Sequence, residues 1–389
     1  MFTIRRYNNI SDKGLGLLDA ERFRVGEGLD DPDAYILRSQ KLHGEPLPDS
    51  LLAMARAGAG VNNIPVADCT ARGIVVFNTP GANANAVKEL VLAGLLLGSR
   101  DIFEGMTFVQ GLEDVKDPAE MSRLLEAEKK RFAGSELYGK TLGVVGLGAI
   151  GAMVANMGLE LGMQVAGYDP AISVEAAWRL SSQVEKVESL QHLLGTADYL
   201  TLHIPANEHT AGLIGPEAFA ALKPGACLLN FAREQVVDQA ALVDALDGGS
   251  LRRYVSDFPR PELLGRREAV LLPHIGASTA EAEENCAVMA ATQLMDFLEN
   301  GNIVNSVNFP RTRMSRNGGH RITFTNQNVP KVLSAVLDVL ADRNINVIDL
   351  VNKSRGEIAY NIVDVETEPG PDAVEEIRSA EGVIRVRQL

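Results

Sequence analysis

Cysteine is scarce in this chain, and long uninterrupted apolar stretches are missing. The 389 residues contain three cysteines, Cys69, Cys227 and Cys286, without a C-x-x-C spacing. This usage argues against a disulfide framework and fits a reducing compartment. The N-terminus enters a strand-like pattern without a signal-peptide core, and the apolar run at 90–98 is too short to cross a bilayer. We therefore expect a cytoplasmic protein without a membrane partner.

Positive charge is also in short supply. There are 37 lysines and arginines against 51 aspartates and glutamates, which gives a formal net charge of −14. Such a balance disfavours nucleic acids and anionic membranes as partners. An anionic substrate would need a local group of cations against this acidic background. The length predicts two or three domains.

A glycine-rich turn is the most informative motif that is present. Gly146, Gly148 and Gly151 fit G-x-G-x-x-G, directly after an apolar run that predicts a buried strand. A helical pattern and a second apolar run follow, and the latter ends at Asp169. This order is the dinucleotide-binding fingerprint, in which the helix N-terminus binds phosphates and the acid binds ribose hydroxyls. Because Asp169 would repel a 2′-phosphate, the sequence predicts NAD rather than NADP.

Apolar runs alternate with helical patterns along most of the chain, which predicts an α/β fold. Predicted strands lie at 35–38, 73–77, 142–145, 164–168, 199–203, 227–231, 254–257 and 269–272, and predicted helices at 50–55, 85–97, 117–131, 239–246 and 279–298. An extended piece at 302–308 is expected to return to the first domain. After a polar linker, residues 320–389 read β-α-β-β-α-β, the ferredoxin-like order. The predicted domains are 1–98 with 299–310, 99–298, the linker 311–319, and 320–389.

Three polar side chains follow the ends of apolar runs, where open α/β sheets bind their ligands: Arg233, Glu262 and His274. An arginine can bind a carboxylate with two hydrogen bonds, and a histidine beside a carboxylate can move a proton near neutral pH. Together they suit dehydrogenation of a 2-hydroxy acid, with Arg233 on the carboxylate, His274 as proton acceptor and Glu262 orienting His274. Taken singly, they are also compatible with a surface charge, a solvated loop residue and a buried structural histidine.

Several segments resemble the D-isomer-specific 2-hydroxyacid dehydrogenase family, in the family's order and over most of the first 310 residues. Besides the fingerprint with Asp169, they are 56–63 (RAGAGVNN), 77–80 (FNTP), 230–233 (NFAR), Asp257 and 273–279 (PHIGAST). Residues 320–389 resemble an ACT domain, an amino-acid-sensing module. The resemblance implies two doubly wound parallel-sheet lobes, a flavodoxin-like substrate lobe and a Rossmann NAD lobe, plus a ferredoxin-like ACT domain. The loop 257–274 is shorter than is usual in the family.

The resemblance further implies NAD-dependent oxidation of 3-phospho-D-glycerate to 3-phosphohydroxypyruvate, the first step of phosphorylated L-serine biosynthesis. The implied substrate residues are Arg38, Ser39, Arg56, Asn83 and Lys130. The implied cofactor residues are Gly146, Gly148, Ala149, Ile150, Gly151, Asp169 and Ile204 around the pyrophosphate and adenosine, and Phe231, Ala232, Arg233, Asp257, His274, Gly276 and Ala277 around the nicotinamide. Asp257 is expected to accept a hydrogen bond from the carboxamide. No metal is expected.

The resemblance leaves the C-terminal domain and the substrate partly open. Asn326, Asn328 and Asn346 stand where serine-sensing relatives bind L-serine between two chains, while the domain could instead serve dimerisation alone. A homo-oligomer, dimer or tetramer, is expected. The alternatives are another D-2-hydroxyacid dehydrogenase, such as a hydroxypyruvate or glyoxylate reductase, an NAD(H)-sensing protein like the corepressors built on this scaffold, and an amino-acid sensor.

Overall fold

The computed structural model describes residues 1–389, which form two compact units. Unit 1 comprises Met1–Asn83 and Ala280–Leu389, and unit 2 comprises Ala84–Thr279. The domain boundaries given above stay a prediction, and the ACT-like segment belongs to the same unit as the N-terminal residues. No helix has both the length and the apolar character needed to cross a membrane.

The α/β character predicted from the sequence is confirmed. The strands are β1 (Phe2–Arg6), β2 (Phe23–Gly26), β3 (Ala34–Leu37), β4 (Ala53–Arg56), β5 (Val75–Phe77), β6 (Thr141–Val145), β7 (Gln164–Tyr168), β8 (Glu185–Lys186), β9 (Tyr199–Leu202), β10 (Ala226–Asn230), β11 (Leu251–Ser256), β12 (Ala269–Leu271), β13 (His320–Gln327), β14 (Val347–Arg355), β15 (Ile358–Val365) and β16 (Val383–Gln388). The helices are α1 (Asp12–Leu15), α2 (Val66–Ala71), α3 (Ala84–Ser99), α4 (Ile102–Gln110), α5 (Pro118–Glu128), α6 (Ala149–Glu160), α7 (Val174–Ala177), α8 (Leu190–Thr196), α9 (Pro216–Ala221), α10 (Gln239–Asp247), α11 (Ala280–Asn300), α12 (Val332–Ala341) and α13 (Pro371–Ser379).

Unit 1 begins with a parallel sheet of strand order β2-β1-β3-β4-β5. The expectation of a helix at 50–55 is wrong, because Ala53–Arg56 forms β4, paired on both sides with β3 and β5. A short apolar run cannot be assigned to helix or strand from its periodicity. Here burial on both faces of a parallel sheet decides for the strand.

The remainder of unit 1 is built on α11, which packs against this first sheet. The expected return of the chain after α11 is confirmed, since Ser306 bridges to Phe77 and the Asn308 side chain bonds the backbone of Val76 and Ile74. An antiparallel sheet of order β14-β15-β13-β16 follows. Along β15, alternate side chains enter two cores: Tyr360 and Ile362 join the core of the first sheet, and Val363 and Val365 join the core with α12 and α13. The element order β13-α12-β14-β15-α13-β16, together with this sheet order, confirms the predicted ferredoxin-like order.

Unit 2 is built on a seven-stranded parallel sheet of order β12-β11-β10-β9-β6-β7-β8, with an α-helix between each two successive strands from β6 to β11 and a short 3-10 helix between β11 and β12. From β6 the chain builds outward through β7 to β8, and then from β9 in the opposite direction to β12. The order therefore reverses between β6 and β9. In open α/β sheets such a switch point is where ligands bind, at the carboxyl ends of the strands.

Candidate active site

Each glycine of the turn after β6 has its own steric reason. Gly146 adopts a φ of +87°, and a Cβ there would lie 2.6 Å from the carbonyl oxygen of His203. A Cβ on Gly151 would lie only 1.9 Å from the Gly146 carbonyl oxygen, so α6 approaches the turn as closely as it can. A Cβ on Gly148 would meet no atom within 4 Å, so the space above this residue is open. The turn therefore leaves room for a ligand at the start of α6.

The N-terminus of α6 fits a dinucleotide pyrophosphate. Its N-cap is Gly148, and no side chain caps the helix. The N–H groups of Ala149 and Ile150 have no protein acceptor, and they add to the positive end of the helix dipole. Asp169 accepts hydrogen bonds from the N–H groups of Leu147 at 2.8 Å and Ala171 at 2.9 Å. Its half-exposed carboxylate keeps lone pairs for ribose hydroxyls.

His203, which follows β9, is a neighbour of this turn that the sequence did not single out. Its imidazole bonds Thr201 Oγ1 at 2.9 Å, and burial lowers the pKa of His203 to about 3. The ring is therefore neutral at physiological pH and brings no charge beside the turn. The side chain of the next residue, Ile204, lies against Gly146, and its contact with the adenosine stays a prediction. The only sequence signal for His203 is a polar residue at the end of an apolar run.

The loop after β12 holds His274 in a strained conformation. His274 has a φ of +57°, which side chains with a Cβ rarely adopt. Asp257 is buried, and its two carboxylate oxygens accept from the N–H groups of Ile275 at 2.8 Å and Gly276 at 2.7 Å. The Phe258 ring stands edge-on to the imidazole, with 5.0 Å between ring centroids. The Asp257 carboxylate therefore fixes the backbone that directly follows His274 and so positions the His274 side chain.

Arg233 lies in the turn after β10, beside the buried Phe231 and Ala232. Its Nη1 donates to the Ala232 carbonyl at 2.6 Å, and its own carbonyl accepts from Asn230 Nδ2 at 2.9 Å. Asn230 is fully buried and also accepts from the Ala232 N–H, so its side chain closes the turn. The side chain of Arg233 is exposed at the carboxyl edge of the sheet.

Glu262 lies in a 3-10 helix, Pro261–Leu263, and is exposed. No hydrogen bond or ion pair joins its carboxylate to the His274 imidazole, so the expected pairing stays a prediction. The same loop is attached to the Arg233 turn by an ion pair between Arg260 and Glu234. Ala277 is half-buried beside Gly276. Lys130 is exposed in unit 2, in a 3-10 helix that follows α5.

The remaining predicted substrate residues belong to unit 1. Arg38 and Ser39 follow β3, and Arg56 ends β4, so all three lie at the carboxyl edge of the first sheet. Arg56 Nε donates to the Arg38 carbonyl at 3.0 Å, and Arg38 forms an ion pair of 2.6 Å with Glu283 in the first turn of α11. Asn83 carries a buried Oδ1 without a hydrogen-bond partner.

Comparison with known proteins agrees with this geometry. The D-3-phosphoglycerate dehydrogenase of Escherichia coli K12 is 31% identical to this chain over an alignment of 391 positions, gaps included. The alignment covers 96% of this chain and 90% of that protein. The chain belongs to the D-isomer-specific 2-hydroxyacid dehydrogenase family. The NAD-binding domain of the family matches residues 106–276, and an ACT domain matches residues 320–382.

Two further members of the family extend the comparison. The D-3-phosphoglycerate dehydrogenase of Methanocaldococcus jannaschii is 32% identical over 351 residues; this chain spans 63% of its length. The crystal structure of NAD+-bound 3-phosphoglycerate dehydrogenase from Entamoeba histolytica superimposes with a TM-score of 0.61 at 25% identity. That superposition covers 79% of this chain and 98% of the Entamoeba chain.

In the ACT domain, the three predicted effector residues occupy different environments. Asn326 is buried, its Oδ1 accepting from Asn361 Nδ2 at 2.7 Å, whereas Asn328 is exposed and donates to the Gly356 carbonyl. Asn326 pairs with the start of β15, while Asn346 bonds the backbone just after its end. Six residues of strand, about 20 Å, separate these two positions within one chain. A small ligand that contacts residues equivalent to both Asn326 and Asn346 would need one of these two residues to come from another chain.

Proposed function

We propose that this chain oxidises 3-phospho-D-glycerate to 3-phosphohydroxypyruvate with NAD, and so starts the phosphorylated route to L-serine. The observation that carries the proposal is the pair Arg38 and Arg56 at the carboxyl edge of the first sheet, in a chain of net charge −14. A three-carbon acid with a phosphate presents two anionic groups, and guanidinium groups bind both kinds with two hydrogen bonds each. Relatives that match most of this chain carry that activity in their names.

The residues of unit 2 supply the remaining chemistry. The α6 N-terminus, with Gly148, Ala149 and Ile150, would hold the pyrophosphate of NAD, and the bound cofactor would supply the hydride acceptor for the carbinol carbon of the substrate. The His274 imidazole accepts the hydroxyl proton as the C–O bond becomes a carbonyl. Arg233 binds the carboxylate and holds the carbinol carbon in position. We assign to the Glu262 carboxylate, in the loop between β11 and β12, the stabilisation of the protonated imidazole.

The phosphate is assigned to Arg38 and Arg56. Arg38 is paired with the half-exposed Glu283, so a phosphate would compete with this carboxylate for the guanidinium group. A dianionic phosphate has the advantage in charge over one carboxylate. Ser39 and Asn83 add uncharged hydrogen-bonding groups, and Lys130 is a further candidate cation. A substrate without the phosphate would leave Arg38 with Glu283.

The test is the formation of NADH from purified protein and NAD with 3-phosphoglycerate, D-glycerate or D-lactate, with the reverse reaction from phosphohydroxypyruvate and NADH. We expect strong preference for the phosphorylated pair. Preference for the unphosphorylated acids would overturn the assignment of Arg38 and Arg56, and retain a 2-hydroxyacid dehydrogenase. Binding of NADH without turnover of any acid would favour a sensing protein. His274→Ala should abolish turnover and leave NADH binding nearly unchanged.

We also propose that the protein is a homo-oligomer that works in the cytoplasm and responds to L-serine through its ACT domain. Helix α4 carries an exposed apolar stripe, formed by Phe103, Met106 and Val109, which are 64%, 63% and 47% exposed. Adjacent exposed apolar side chains of this kind are typical of association surfaces. Light scattering should show an oligomer that Met106→Glu dissociates, and a monomeric wild type would refute this surface. Activity with and without L-serine tests the effector.

A further inference from the structure

One side-chain oxygen of unit 1 collects three consecutive backbone donors. Asn8 Oδ1 accepts from the N–H groups of Arg38 at 3.3 Å, Ser39 at 2.9 Å and Gln40 at 2.8 Å. Because only the oxygen of an amide accepts, these donors fix which way the side chain points. Asn8 follows β1 with a φ of +63°, a left-handed conformation that asparagine tolerates better than most residues.

The carbonyl groups of residues 38–40 are held from the other side. Arg38 O accepts from Arg56 Nε at 3.0 Å and from Asn63 Nδ2 at 3.3 Å, and Gln40 O accepts from Asn63 Nδ2 at 2.6 Å. The segment belongs to no helix or strand, so these side chains replace the regular backbone bonds. Asn63 is buried, while Asn8 is exposed and supplies the only acceptor for the three N–H groups.

The chemistry of this acceptor matters because of what the segment carries. Successive N–H groups that converge on one point form a concavity that attracts anions. An amide oxygen satisfies the donors without placing a second negative charge, besides that of Glu283, near Arg38, whereas a carboxylate at this position would also compete for its guanidinium group. We infer that Asn8 is a positioning residue that holds Arg38 and Ser39 in place for an anionic substrate. This inference rests on the function proposed above.

The kinetic test compares Asn8→Ala, Asn8→Asp and the control Asn9→Ala. Asn9 is an exposed neighbour of the same type, whose side chain forms no hydrogen bond. Asn8→Ala should raise KM for 3-phosphoglycerate about tenfold and leave kcat within about twofold of the wild type. The rise in KM is expected because loss of the hydrogen bonds that position Arg38 and Ser39 weakens substrate binding by about 1.4 kcal/mol, which is a factor of about ten. Asn8→Asp should raise KM as well, through its charge. Asn9→Ala should behave as the wild type.

A second readout does not depend on catalysis. Hydrogen–deuterium exchange of the 38–40 amides, measured without substrate, should accelerate about tenfold in Asn8→Ala and stay near the wild-type rate in Asn8→Asp, because the carboxylate still accepts. Unchanged exchange in Asn8→Ala overturns the inference, and so does faster exchange with unchanged KM, or an equal loss of kcat. If the wild type fails to oxidise 3-phosphoglycerate, the proposed function fails, and KM is then measured with the acid that it does oxidise.

Discussion

Replacement of Asp257 by alanine tests how the structure presents His274. The buried carboxylate bonds the two N–H groups that directly follow His274, at 2.8 and 2.7 Å, and no other side chain bonds them. Alanine removes both bonds and leaves the Gly276 N–H buried without an acceptor. We therefore expect the loop to relax away from the left-handed conformation of His274.

The size of the effect follows from these contacts. A hydrogen bond to a charged group contributes about 1.5–3 kcal/mol, so two of them contribute about 3 kcal/mol or more. A left-handed residue other than glycine costs about 1–3 kcal/mol. The bonds therefore equal or exceed the strain that they hold, and without them the strain is relieved by movement of His274. A displacement of about 1 Å at a reacting group lowers kcat about 100-fold.

The assay separates this role from a direct contact with the cofactor. Asp257→Ala should lower kcat about 100-fold while the dissociation constant of NADH stays within a few-fold, measured by fluorescence. The matched control is Asp238→Ala, which removes a carboxylate that bonds the Ala241 N–H at the start of α10; it should cost about 1 kcal/mol of stability and leave kcat unchanged. An unchanged kcat with weakened NADH binding would refute our reasoning and support the contact with the carboxamide.

Three further predictions concern the cofactor turn, the thiols and pH. Gly151→Ala should weaken NADH binding by about 10- to 100-fold in a fluorescence titration, since its Cβ would overlap the turn by an amount that costs about 1–3 kcal/mol. Burial raises the pKa of Cys69 and of Cys227 to about 12, so a thiol reagent at pH 8 should label these residues only after denaturation. The pKa of Asp101 is lowered below the ordinary aspartate value of 3.8. Burial alone would raise this pKa, but the guanidinium groups of Arg267 and Arg253 outweigh the effect of burial. The Asp101 carboxylate therefore stabilises the fold above that value and loses this contribution as the pH falls through its folded pKa, so urea unfolding of Asp101→Asn and wild type should converge at acid pH.

The cofactor turn could be predicted in detail from the sequence because its causes are local. Gly146 needs its positive φ, and Gly151 needs its missing Cβ, whatever surrounds them. The strand Ala53–Arg56 could not be predicted, since three apolar residues before an arginine carry no period and only the pairing with β3 and β5 decides their state. Propensity gives way to tertiary context in such segments.

Helix α4 and the roles of several asparagines were missed for a second reason. Helix α4 has only nine residues, which is shorter than the window over which a helical period can be recognised in a sequence. Asn8 acts on the backbone of a distant loop, and Asn230 closes its own turn through the Ala232 N–H, whereas the sequence shows only that asparagine suits turns. Asp257 is intermediate, because its place at a strand end was predicted while its partners 18 and 19 residues further along were not.

The C-terminal ACT domain is part of the core of unit 1 and is held to α11 by side chains. Tyr360 donates to the Gly301 carbonyl at 2.7 Å, and Arg387 donates to the Leu298 carbonyl at 2.7 Å. Arg321 is fully buried, with a bidentate ion pair to Asp364 and further bonds to three backbone carbonyls at the end of α11 and in the linker. The other end of the same helix carries Glu283, the partner of Arg38. One continuous helix of 21 residues, about 32 Å long, therefore connects the sheet that is expected to sense an amino acid with the cation that is expected to bind the substrate phosphate.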